Sequence, residues 1–233
     1  MLGFSSLKIG LIFSLLIAMS DCYSQSDIEI MSAYKQGTVK GGGNCVSIAL
    51  IKASYSKFEF DEMFQKIDTT QTGYEVALRD SSSVSFSLDE LETVKSMVGF
   101  RQVDTTDFAI KFKEFSEFCF AAMGKKLQQI KDQEIDFKAA IDKLNNGYST
   151  SNSSELLGVK FKKINCEKVR SLIEYENLIV YNSYHAVYAS RGFYDESSSD
   201  FPVKLEKLRW NRFGPKCLFK KFCGIQEAFL VVE

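Results

Sequence analysis

The spacing of apolar residues changes along this chain, and that change most limits the folds open to it. Over much of residues 45–146, outside an alternating stretch at 74–88, the apolar positions recur every three or four residues, as in amphipathic helices. After residue 177 they alternate or form short β-branched runs, as in strands. The sequence therefore predicts an α+β protein with a mainly helical first part and a strand-rich second part.

Capping and turn residues predict the positions of the elements. Ser87 and Glu90 match a capping box, and Gly147 is suited to end a helix. Helices are predicted to start at residue 45 and to span residues 88–98, 108–131 and 137–146, and a hairpin is predicted at 74–80 and 84–88. Strands are predicted at residues 178–180, 185–189, 204–210 and 227–232. Residues 25–44 are expected to be an extended or irregular lead-in, and residues 149–154 a polar loop.

The chain length of 233 residues suits one domain. Residues 25–233 are expected to form it, with a mainly helical lobe at 25–176 and a mainly β lobe at 177–233. Twenty Phe and ten Tyr supply material for its core, and only two prolines argue against a linker-rich chain. A cleft between two such lobes is a natural place for chemistry.

The N-terminal segment has the layout of a secretory signal. Lys8 precedes an apolar run at residues 9–19, which is too short to span a bilayer. Residues 1–24 are therefore predicted to be a signal peptide, with cleavage after Ser20 or Ser24. An uncleaved anchor and a lipid anchor on Cys22 are the alternatives. Cleavage predicts a secreted or periplasmic protein that is not stably inserted in a membrane.

Export affects how the cysteines are interpreted. The chain has six, and removal of Cys22 with the signal would leave five. One free thiol and two disulfides are a natural arrangement in an oxidising compartment. The disulfides are expected among Cys119, Cys166, Cys217 and Cys223, in any of three pairings.

Charge and histidine content exclude several functions. The formal net charge is −1, which does not point to nucleic acid or to an anionic membrane surface. The chain has one histidine and no Cys-x-x-Cys pair, so neither a metal site nor another cofactor is predicted. The acidic, serine-rich stretch at 195–200 lacks the ligand spacing of a calcium loop and is expected to be a mobile loop.

Cys45 is the candidate nucleophile. Three glycines at 41–43 let the backbone turn sharply before it, and Asn44 is suited to an N-cap position. Cys45 would then begin a buried helix, whose unpaired N–H groups and dipole favour a thiolate. The alternative is that Cys45 is a buried structural cysteine or a disulfide partner.

His185 is the candidate general base because it is the only imidazole in the chain. A third group should orient its ring, and Asn211 is the first candidate. Asp195 and Asp200 are nearer in sequence, and Asp200 is the second choice. The alternative is that His185 is a packed strand residue.

Four short pieces, in the same chain order, resemble the catalytic motifs of calpain-like cysteine peptidases. Residues 43–53 resemble the nucleophile helix, which carries alanines at the offsets of Ala49 and Ala53. The other pieces are Gln36-Gly37, His185-Ala186 and Asn211-Arg212-Phe213-Gly214. The resemblance implies a papain-like two-lobed fold with the Cys helix in the helical lobe and the His in the β lobe. It also implies a Cys45–His185–Asn211 triad, Gln36 in the oxyanion hole, and a protein or peptide substrate.

The chain also departs from those motifs. Gln36 lies nine residues before the cysteine where the family has six, and Asn44 replaces an aspartate. Val46 and Phe213 replace tryptophans, and the acidic calcium loops of the family have no counterpart, so calcium dependence is not carried over. Two other functions therefore stay open: an acyltransferase, amidase or transglutaminase on the same framework, and a secreted interaction protein without activity.

Overall fold

The computed structural model describes residues 27–37, 43–164, 172–181, 185–205, 225 and 227–232. These residues form helices and antiparallel sheets, so the predicted α+β class is confirmed. The predicted signal segment, Asn211 and four of the cysteines lie outside the described residues. Those cysteines are Cys22, Cys166, Cys217 and Cys223.

Five α-helices are described, four of them at predicted places. They are α1 (Asp27–Ala33), α2 (Cys45–Glu62), α3 (Leu88–Val98), α4 (Asp107–Ile130) and α5 (Phe137–Asn145). The capping box is present, since the Ser87 side chain accepts from the Glu90 N–H and the Glu90 side chain accepts from the Ser87 N–H. Local caps thus account for where α3 begins.

Two predictions about irregular segments are wrong. The lead-in contains helix α1, because burial of Ile30, Met31 and Ala33 in the core stabilises a helix that its local sequence does not indicate. The predicted polar loop is a 3₁₀ helix over Thr150–Leu156. Leu156 is fully buried there and anchors the segment.

The largest sheet has six antiparallel strands in the order β10-β9-β8-β7-β11-β6. Their bounds are β6 (Lys160–Ile164), β7 (Leu178–Tyr181), β8 (Ala186–Ser190), β9 (Phe193–Tyr194), β10 (Val203–Lys204) and β11 (Glu227–Val232). Strand β6 comes from the part of the chain predicted as mainly helical, so this sheet crosses the division expected at residue 176.

Five shorter strands lie in the first part of the chain. They are β1 (Tyr34–Lys35), β2 (Lys66–Thr69), β3 (Gly73–Ala77), β4 (Ser83–Ser87) and β5 (Arg101–Gln102). The predicted hairpin is the antiparallel pair β3–β4. Strand β1 pairs with β5, which places the residues after β1 beside the end of α3.

Helix α2 packs against strand β8, and its residues share one core with the other helices and one face of the sheet. Alternation along β8 explains this, because Ala186 and Tyr188 belong to that core whereas Val187 and Ala189 belong to a smaller core on the opposite face. Cys45 begins α2, and His185 immediately precedes β8. The packing of α2 on β8 therefore brings the two candidate residues to the same end of the molecule.

Candidate active site

Cys45 is the first residue of α2 and is partly exposed. Asn44 occupies the N-cap position, but its side chain does not cap the helix. Its amide instead donates to the Val98 carbonyl oxygen at 3.0 Å and to Asn145 Oδ1 at 3.2 Å. The Asn44 side chain therefore ties the start of α2 to neighbouring elements and leaves the first N–H groups of the helix to other partners.

Gly43 lets the chain pass close to the end of α5. Its N–H donates to the Asn145 carbonyl oxygen at 2.8 Å. A Cβ atom at this position would lie 2.7 Å from the Asn146 carbonyl carbon, which real structures do not tolerate. Gly43 therefore comes closer to the end of α5 than a residue with a side chain could, while residues 41 and 42 lie outside the described part.

The side chains of Cys45 and His185 line the same two cavities and interact with each other. Burial alone would raise the pKa of Cys45, but the interaction with His185 and the N–H groups of Ala186 and Val46 outweigh it and lower that pKa. Burial likewise opposes the charged imidazole, but Cys45 raises the pKa of His185. Both changes favour a thiolate–imidazolium pair, the reactive form of a cysteine nucleophile.

Two carboxylates add to the charge stabilisation of His185. Glu196 and, to a smaller extent, Asp195 raise its pKa. Asp200, the second choice for orienting the imidazole, is half-exposed and pairs instead with Arg101 at 2.9 Å. Asp195 rather than Asp200 lies near His185 because Asp195 directly follows β9, whereas Asp200 lies farther along the loop.

Gln36 lies at the site despite its unusual distance in sequence from Cys45. It lines a small cavity of about 20 Å³ together with Cys45 and His185. The next residue, Gly37, is packed so closely on Gly99 that a Cβ atom would lie 1.7 Å from the Gly99 carbonyl oxygen. Gln36 is thus held in a tightly packed segment next to the thiol.

A larger cleft opens from the other side of the pair. It has a volume of about 370 Å³, within the range of small-ligand sites, and both Cys45 and His185 line it. Its other walls are mostly polar and come from the segment after α5 and from the sheet. They include Tyr148, Ser149, Ser151, Tyr181 and Glu227. A substrate in this cleft would lie against the thiol.

Three buried charges lie behind the pair, and sequence reasoning gave a role to only one of them. Lys35 and Lys52 both form ion pairs with Asp195. Burial lowers the pKa of Lys52 to about 8, against the attraction of Asp195. The sequence signal was a lysine inside the otherwise apolar start of α2, seven residues after Cys45 on the same helix face.

Cys119 does not fit the predicted disulfide framework. It is a free thiol, fully buried in the middle of α4, and burial raises its pKa well above the usual range. The expectation that Cys119 forms a disulfide is therefore wrong, because the aromatic packing of α4 turns it into the core. Its three possible partners lie outside the described residues.

The described residues include no group of three or more His, Cys, Asp or Glu side chains that could hold a metal ion. In the same part of the chain, no helix is both long and apolar enough to cross a membrane. The stretch at 195–200, expected to be mobile, begins with the buried and ion-paired Asp195.

The chain has no significant match among protein-family models, curated proteins or solved structures. What the site can do therefore follows from its own geometry and chemistry.

Proposed function

We propose that this protein is a cysteine peptidase that hydrolyses peptide bonds through Cys45 and His185 on a papain-like two-lobed framework. The observation that carries the proposal is the juxtaposition, on one cleft, of a thiol at the start of a buried helix and the only imidazole of the chain. The opposite pKa changes of the two groups add to it. Helix α2 packed between the other helices and the six-stranded sheet is compatible with such a framework.

The reaction follows from the groups around the thiol. The Cys45 thiolate attacks the peptide carbonyl carbon, a C–S bond forms, and the oxyanion accepts hydrogen bonds from the Gln36 side chain and the Cys45 N–H. His185 gives its proton to the leaving amine as the C–N bond breaks. A water molecule then loses a proton to His185 and attacks the thioester, which releases the acid and regenerates the thiolate. Asn211 is the proposed orienting amide of His185.

The polar cleft supports a peptide as the substrate. Its volume of about 370 Å³ accommodates a few side chains, and its hydroxyl groups can bind a peptide backbone. Export through residues 1–24 stays a prediction from the sequence, and it would place the substrate outside the cytoplasm.

The proposal is tested by incubating the purified protein with a mixture of fluorogenic peptides and with a denatured protein. We expect cleavage that iodoacetamide abolishes, with the label found on Cys45 by peptide mapping. An added amine acceptor separates hydrolysis from acyl transfer, since a transferase would give the amide of that amine as its main product. Unlabelled Cys45 and uncleaved substrates would argue for a binding protein.

The pH dependence of labelling tests the thiolate–imidazolium pair without any substrate. Alkylation follows the thiolate fraction, so the rate for Cys45 should have its midpoint below the value of about 8.5 for an ordinary cysteine. In the His185→Ala variant burial still raises the pKa of Cys45 while the imidazole no longer lowers it. The midpoint should therefore move up, and the rate near pH 6 should fall by roughly tenfold or more. Equal profiles for the two proteins would contradict the pairing.

A further inference from the structure

Three charged side chains from distant parts of the chain form a buried cluster beneath the candidate site. Lys35 ends β1 and is 1% exposed, Lys52 lies on α2 and is fully buried, and Asp195 follows β9 and is 7% exposed. One carboxylate oxygen of Asp195 accepts from Lys35 and the other accepts from Lys52 at 2.6 Å. We call these residues the Lys–Asp–Lys cluster.

Lys52 attaches the helix of the nucleophile to the segment that carries Gln36. Its ammonium also donates to the carbonyl oxygen of Tyr34 at 2.7 Å and to that of Met31 at 3.2 Å. It lies 4.5 Å from the centre of the Tyr34 ring, within the range of a cation–π contact. The backbone just before Lys35 and Gln36 is therefore bound to α2 two turns beyond Cys45.

Asp195 attaches the same cluster to the strand that His185 precedes. The Asp195 N–H donates to the Tyr188 carbonyl oxygen of β8 at 2.9 Å. The Asp195 side chain also lines the small cavity that contains Gln36, Cys45 and His185. Through its carboxylate and its backbone N–H together, Asp195 thus connects the three segments that carry Gln36, Cys45 and His185.

A cluster of buried charges contributes little net free energy to the stability of a fold. Desolvation of buried charges often exceeds their mutual attraction, and apolar side chains of similar size are often as stabilising or more so. Its contacts are specific, however, because the Lys52 ammonium donates to three defined oxygen atoms of other segments. Lys35 directly precedes Gln36 and Gly37 is packed on Gly99, so the chain is fixed on both sides of Gln36.

We propose that Asp195 is a positioning residue. Through its ion pairs with Lys35 and Lys52, it holds the Gln36 amide next to Cys45 as an oxyanion donor. This inference rests on the proposed peptidase function and goes beyond it, since none of the three charged groups is needed in the chemical steps. The cluster acts on acyl transfer, in which an oxyanion forms, and not on alkylation of the thiol, in which none forms.

Two variants test the positioning role. Lys35→Met breaks the pair next to Gln36 and leaves a charge-balanced Lys52–Asp195 pair. The triple variant Lys35→Met/Lys52→Met/Asp195→Leu replaces the cluster with apolar groups and keeps the site filled. For both we expect kcat for peptide hydrolysis to fall about 100-fold with KM little changed, as for a displaced catalytic group. In Lys35→Met, which keeps the carboxylate beside His185, alkylation of Cys45 by iodoacetamide should stay within about twofold of the wild-type rate.

A double-mutant cycle with Gln36→Ala identifies the group through which the cluster acts. If the cluster works through Gln36, adding Gln36→Ala to either variant should cause little further loss. Lys66→Met is the matched control, because its ion pair with Asp68 is on the surface and its kcat should be unchanged.

The outcomes separate the two proposals. Three results would overturn the positioning role while leaving the peptidase intact. They are losses that multiply with Gln36→Ala, an unchanged kcat in folded variants, and a loss of alkylation in Lys35→Met equal to its loss of kcat. A wild-type protein that is alkylated at Cys45 but cleaves no peptide would overturn the peptidase function, and the positioning role with it.

Discussion

Cys45→Ala is expected to abolish peptide hydrolysis, with kcat/KM lower by a factor of about 10⁴ or more. Without the sulfur no acyl-enzyme forms, and His185 and Gln36 alone cannot replace a covalent step. The fold should persist, because the side chain is partly exposed at a helix start and alanine is a good helix former. The measurement is the initial rate on the best fluorogenic substrate, with circular dichroism to show that the variant is folded.

Cys119→Ala is the matched control for that experiment. Cys119 is the second free thiol among the described residues, but it is fully buried in α4 and does not line the cleft. We expect unchanged kcat/KM and a loss of about 1 kcal/mol in the free energy of unfolding. Hydrolysis that survives in Cys45→Ala, or that disappears in Cys119→Ala while the protein stays folded, would contradict the assignment of the nucleophile.

The second large effect is expected on stability. Asp195→Leu should lower the free energy of unfolding by about 3–5 kcal/mol, because it leaves the ammonium groups of Lys35 and Lys52 buried without their carboxylate. The change is measured by urea unfolding monitored by far-ultraviolet circular dichroism.

Removing all three charges should reverse most of that loss. In Lys35→Met/Lys52→Met/Asp195→Leu no buried charge of the cluster remains, so its stability should return to within about 1–2 kcal/mol of wild type. Asp200→Leu provides a matched control, since Asp200 pairs with Arg101 at the surface and should contribute less than about 1 kcal/mol. A mild effect of Asp195→Leu would show that the cluster does not hold these segments together.

Much of the secondary structure was predictable because its determinants are local. The capping box at Ser87 and Glu90 begins α3 at Leu88, and the aromatic spacing of α4 predicts which of its sides is buried. Helix α1 was not predictable in this way, because it is stabilised by burial of Ile30 and Met31 against distant elements. Cys119 was misassigned for the same reason, since only packing shows that it lies in the core.

Within the candidate site, two residues could be identified from the sequence: a cysteine where a buried helix begins, and one imidazole at the start of a strand. Both follow from interactions within a few residues along the chain. Three features came from packing alone: these two side chains line one cleft, Asp195 rather than Asp200 lies beside them, and Lys35 and Lys52 share its carboxylate. The contacts of Cys45 with His185 and of Asp195 with the two lysines join residues more than 100 positions apart, and they depend on how α2 packs on β8, which no local pattern encodes.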